Sequence, residues 1–151
     1  MGAAYFYHLT EATAEEALAM LLPRAAQAGW RVEVRGTDPA RMDALDAALW
    51  DGPADSFNAH GRAGGPHDAL QPVLLTAGEA AEGIACLMAL DGAGVTAGEA
   101  AALQRVCILF DGHDPAAVQA ARVQWRTLTG AGIAAQYWAQ EDGRWTKKAE
   151  G

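Results

Sequence analysis

The chain has 151 residues, of which 51% are apolar and 20% charged, and it carries a formal net charge of −8. That length fits one domain, and such a domain buries roughly 68–70% of its unfolded surface, so neither metal nor disulfide is needed to hold it. The acidic balance disfavours strong direct nucleic-acid binding, the apolar share argues against wholesale disorder, and no run approaches the ~20 apolar residues of a membrane span.

In chain order, Tyr5–Leu9 (YFYHL) predicts a first strand. Thr13-Ala-Glu-Glu16 is a capping box, and a helix is expected to about Ala28, with Leu18, Leu21, Leu22 and Ala25 inside and Gly29 ending it. Pro23 is expected to kink that helix or break its hydrogen-bond ladder. Arg31–Arg35 (RVEVR) reads as a second strand. Asp38-Pro39 then opens a helix that carries Met42, Leu45 and Leu49 and closes near Trp50. Residues 51–71 hold four glycines and two prolines and read as a long irregular connection, a feature that is usually functional.

Pro72–Thr76, Ile84–Leu90 and Arg105–Phe110 are short continuous apolar runs, as expected of strands buried on both faces. A short helix is expected near Ala97–Leu103. Asp114-Pro115 repeats the cap-plus-proline signal and opens a helix to about Thr129, stopped by Gly130 and Gly132. Ile133–Ala139 is the last expected strand, and residues 141–151 read as a polar C-terminal tail. Alternating strands and helices predict a single α/β domain over residues 1–151. It would be a three-layer, Rossmann-like arrangement with a mostly parallel sheet flanked by helices.

Enzyme signatures are absent. The turn Asp91–Gly98 (DGAGVTAG) places its third glycine one residue late for a dinucleotide fingerprint, and no phosphate loop follows. Neither G-x-S-x-G nor H-E-x-x-H occurs, and Ser56 is the only serine. His8, His60, His67 and His113 are scattered. Cys86 and Cys107 lie in apolar runs without metal-ligand spacing, so reduced, buried thiols are expected, with no cofactor and no metal. No basic segment leads into a long apolar one at the N-terminus, so a cytoplasmic location is expected.

Two segments point to protein binding instead. On the helix after Asp114, Val118, Ala121, Trp125 and Leu128 form one stripe, with Ala121 and Leu128 read as core. Trp125 stands beside Arg122 and Arg126. A guanidinium near an exposed aromatic suits an acidic peptide that ends in an aromatic residue and a free carboxylate. In Leu45–His60 (LDAALWDGPADSFNAH), Trp50 ends a helix and Phe57 lies in a polar loop; such aromatics either anchor an interface or fold back on the core.

The same residues carry a resemblance. Leu45-Asp-Ala-Ala-Leu-Trp50, then Ser56-Phe57 and His60, resembles the L-D-E-x-L-W … S-F-x-P-H pattern of the chi subunit family of bacterial DNA polymerase III. Phe6-Tyr7-His8-Leu9, Gly29-Trp30-Arg31-Val32, Pro72–Leu75, Phe110-Asp-Gly-His-Asp114, Ala131–Ile133, Tyr137-Trp138 and Arg144–Lys148 follow in the family's order, so the likeness covers nearly the whole chain. Ala47 stands where the pattern has Glu, and Asn58-Ala59 where it has an apolar residue and Pro.

The resemblance implies a non-catalytic accessory subunit of the clamp-loader assembly. It would bind the acidic, Pro-Phe-ending tail of single-stranded DNA-binding protein (SSB) and, on another side, the psi subunit. It assigns Arg122, Trp125, Val118, Phe110 and Arg126 to the tail, with Val118 at a position that is basic in some members. It assigns Trp50, Phe57, His60 and Leu49 to psi or an equivalent partner. Readings from other classes are an adaptor for a repair helicase and a nucleotide-binding enzyme built on the Gly92–Gly98 turn.

Overall fold

The computed structural model describes residues 2–50, 60–62, 73–77, 83–142 and 144–150, apart from the side chains of 48–50 and 60–62. In chain order the elements are β1 (Ala3–Leu9), α1 (Ala14–Gln27), β2 (Val32–Arg35), α2 (Pro39–Trp50), β3 (His60–Arg62) and β4 (Val73–Thr76). They continue with β5 (Cys86–Ala89), α3 (Ala97–Ala102), β6 (Arg105–Asp111), α4 (Pro115–Gly130), β7 (Ala134–Glu141) and β8 (Arg144–Glu150). The strands form one sheet in the order β3-β4-β2-β5-β6-β1-β7-β8, parallel throughout except where β8 returns against β7.

The local signals hold because each has a physical cause. Thr13 accepts from the Glu16 amide and Glu16 reaches back to the Thr13 amide, which fixes the start of α1. Gly29 takes φ +77°, where a Cβ is costly, and turns the chain out of α1 toward β2. α1 runs through Pro23 without ending. The carbonyl that loses its helical donor there belongs to Ala19, an exposed residue, so the loss falls on the solvent side of the helix. Asp114 accepts from the Ala116 amide at 3.0 Å, and Pro115 occupies the first helical position of α4.

The apolar runs sort into two cores on opposite faces of the sheet. α1 and α2 cover one with Leu18, Leu22, Met42 and Leu45, over Tyr7, Val34, Leu75, Met88 and Leu109. α3 and α4 cover the other with Ala100, Ala121 and Leu128, over Phe6, Leu87, Val106 and Ile108. Every residue of β2, β4 and β5 is buried, as expected of parallel strands covered on both faces. Cys86 and Cys107 are free and buried, and a hydrogen bond with Cys86, together with burial, pushes the Cys107 thiol well up.

Two stretches differ from expectation. The residues read as a polar tail form β8, an edge strand whose mostly exposed side chains give no apolar signal apart from Trp145. β2 does not present a wet face. Glu33 and Arg35 are buried, and Arg35 Nε donates to Glu33 at 2.8 Å while its Nη2 reaches Glu99 of α3 at 2.6 Å. Thr76 Oγ1 donates to Glu33 at 2.7 Å, and Arg35 Nη1 donates to the Gly94 carbonyl at 2.9 Å. Buried charges survive because they are paired and hydrogen-bonded in this way. β3 lies inside the stretch read as an irregular connection; the rest of that stretch lies outside the described residues.

Candidate functional site

β1, β6 and β7 are adjacent and parallel, and α4 lies over them on the second face. The register places Phe6 opposite Tyr137 and His8 opposite Phe110, so these side chains alternate onto the α4 side with the period of two that a strand imposes. α4 supplies Val118 and Trp125 from its flank toward β7, both only partly buried.

The rings interlock. Trp125 meets Phe6 edge to face at 5.3 Å between centroids and Tyr137 at 6.1 Å. Phe110 lies 5.9 Å from Tyr137 and 5.1 Å from His8. A 2.7 Å hydrogen bond joins His8 Nδ1 to the Tyr137 hydroxyl. The two Trp125 contacts have the edge-to-face geometry that aromatic quadrupoles favour, and the two Phe110 contacts are tilted. Burial raises the Tyr137 hydroxyl above its ordinary value, and the Arg122 charge pulls the other way.

Arg122 itself is exposed and has no carboxylate partner among the described residues. The arrangement is a half-covered aromatic shelf with a cation at its rim that no described carboxylate takes. Chemically it can seat an apolar or aromatic side chain while the guanidinium takes a carboxylate.

The sequence-derived residues separate on this geometry. Val118, Arg122 and Trp125 stand together, with Phe110 as a buried floor beneath them. Arg126 is exposed and its side chain has no partner in the cluster among the described residues; its carbonyl accepts from Thr129 Oγ1 at 3.4 Å. Leu49 and Trp50 end α2 and His60 opens β3, with side chains outside the described residues, and Phe57 lies outside them altogether.

Tyr137 and His8 were not singled out from sequence for this site. The usable signal was the strand alternation in Phe6-Tyr7-His8, but the pairing with Tyr137 spans 129 positions and depends on register. Gly112 belongs to the same unit. A Cβ there would lie 2.0 Å from the His8 ring, so only glycine lets the Phe110-Asp-Gly-His turn pass over it.

A cleft of about 860 Å³ opens beside this site, at the C-terminal ends of β1, β5 and β6. Chain leaves β1 toward one face and β6 toward the other, which is where open α/β sheets hold ligands. Here the polar groups are committed to one another. Arg41 pairs with Glu15 and, at 3.3 Å, with Asp91. His113 Nε2 donates to the Thr10 carbonyl at 2.8 Å, and Asp111 accepts from the His113 amide. The glycine turn after β5 is likewise structural. Asp91 and Gly92 supply its positive φ angles, Gly94 accepts from Arg35, and the N-terminal donors of α3 are held by the Thr96–Glu99 capping box. No cluster of metal ligands exists among the described residues, and no helix among them is long and apolar enough to cross a membrane.

Comparison with known proteins bears on the whole of this arrangement. No curated protein matches the chain. A family model described as DNA polymerase III chi subunit, HolC, matches residues 1–136, which takes in every element from β1 to α4 and the first three residues of β7. The chain therefore belongs to the DNA polymerase III chi subunit family.

Proposed function

We propose that this protein is a non-catalytic accessory subunit of the polymerase III clamp-loader complex. In this reading its α4–β7 shelf binds the C-terminal tail of SSB and couples it to the replicase. Family membership supports the polymerase context. The observation that carries the tail reading is Arg122, an exposed guanidinium without a carboxylate partner among the described residues, one helical turn from the partly buried Trp125 in a chain of net charge −8. The tail's acidic residues and terminal carboxylate complement Arg122, and its final phenylalanine complements the ring shelf.

Calorimetric titration with a synthetic SSB tail peptide tests this reading. Saturable 1:1 binding that disappears when the terminal phenylalanine is deleted is the expected result. Equal binding by the truncated peptide would contradict it. Binding of psi or an equivalent partner at Leu49, Trp50, Phe57 and His60 belongs to the same proposal and rests on the sequence motif.

A further inference from the structure

The opposite face of the sheet carries a second aromatic groove that none of the described elements fills. Alternation along β1 sends Tyr5 and Tyr7 to the α1 side, and Trp138 of β7 and Trp145 of β8 join them there. Tyr7 meets Trp145 edge to face at 5.3 Å. No described side chain that β7 or β8 presents to this face is buried, since the one buried residue of the pair, Ala135, belongs to the other core. The concavity left between these strands and α1 measures about 530 Å³, and Trp30 also lines it.

Its charge is opposite to that of the molecule. The chain has 19 carboxylate side chains against 11 bases, yet among the described residues the lining holds Arg24 and Arg105 and no acid. Neither arginine has a carboxylate partner among the described residues. The Arg105 guanidinium lies 4.2 Å from the Tyr5 ring centroid and 5.0 Å from that of Trp30. Arg105 Nε is buried without a hydrogen-bond partner. A desolvated donor on a stacked cation is costly when it is left without an acceptor.

We propose that this groove is a docking site for a partner protein's peptide segment that carries a carboxylate next to an aromatic side chain. The ring enters between Tyr7, Trp138 and Trp145, and the carboxylate takes Arg105, with Arg24 at the mouth. A single strand of nucleic acid is the poorer fit. Such strands are held by cations spaced along a track, whereas both cations here serve one small concavity in an acidic molecule. The site lies across the sheet from Arg122 and is independent of the tail reading.

The probe is N-acetyl-phenylalanine, with N-acetyl-phenylalaninamide as its uncharged twin, titrated into the ¹⁵N-labelled full chain. The free acid is expected to shift the indole N–H resonances of Trp30, Trp138 and Trp145, and the amide to leave them in place. Arg24→Ala, at an exposed position on α1, is expected to weaken the acid's binding several-fold. Arg105→Lys keeps the charge but loses the planar fork, and is expected to weaken it about tenfold. Arg122→Ala is expected to leave it unchanged. The proposal is overturned if acid and amide act alike, if only the Trp125 resonance moves, or if Arg24→Ala and Arg105→Lys bind as the parent does. It is equally overturned if a ten-residue oligothymidylate shifts the three indoles and the acid does not.

Discussion

At the scale of single residues, the α4–β7 shelf depends on side chains with separable jobs. Val118 sits one helical turn before Arg122 on the same face, and an apolar residue there leaves one cation to meet an acidic tail. Val118→Lys should therefore tighten SSB-tail binding by about two- to fivefold at low salt, the size of a rim charge contact, and the gain should fade as salt rises. Titration at two ionic strengths measures both. Gly112 controls the other end of the shelf. Gly112→Ala puts a methyl 2.0 Å from the His8 ring, so the ring must move and its bond to Tyr137 is lost. Overpacking of this kind costs ~1–3 kcal/mol. A lowered denaturation midpoint together with a downfield or upfield displacement of the Tyr137 ring resonances would register the change. Unchanged resonances would mean that Gly112 has no part in holding the shelf.

At the scale of elements, α3 is latched to the sheet by charge. It has six residues, too few to hold by helix propensity alone, and Arg35 ties it through Glu99 while also holding Glu33. Arg35→Met strips the buried Glu33 of its counter-charge and should destabilise the protein by ~3–5 kcal/mol, read from the shift in a urea midpoint. The same latch predicts an acid limit. Hydrogen bonding from Arg35 is the largest cause holding Glu99 below its ordinary 4.5. A carboxyl whose folded pKa is depressed contributes stability that is complete above its unfolded value and is lost as pH falls through the lower folded one. Stability should therefore decline below pH 4.5, and less steeply in Glu99→Gln, as thermal melts across that range would show.

The latch also marks what the sequence conveyed and what it did not. The capping box at Thr13, proline at Pro39 and Pro115, and the apolar runs of β4, β5 and β6 are local signals, and the elements stand where those signals put them. In Arg31–Arg35 the alternation of charged and apolar residues is the pattern of a half-wet strand. Only tertiary pairing with Glu99 and Thr76 makes both of its faces dry. Likewise Arg122 and Trp125 were legible because they share one helix. Tyr137 and His8 were not, because their meeting is set by the β1–β7 register.

At the scale of the whole molecule, β8 finishes the sheet and walls the second groove. Its polar composition suits an edge strand, where exposed lysines discourage pairing with another copy. Ending the chain at Asp142 would bare the β7 edge and remove Trp145 from Tyr7. That truncated protein should self-associate, and sedimentation velocity should show dimers or larger species where the full chain gives a smaller one. A truncated chain that sediments as the parent does would mean that β8 does not guard the edge.

The sheet thus separates two aromatic shelves, one on each face. The most direct measurement is calorimetric titration of an SSB tail peptide into the Arg122→Ala protein beside the parent, at low salt. Loss of a charge-assisted contact predicts affinity lower by about tenfold or more, with the fold retained by circular dichroism. Equal affinity in the two proteins would contradict the assignment of the tail to the α4–β7 shelf.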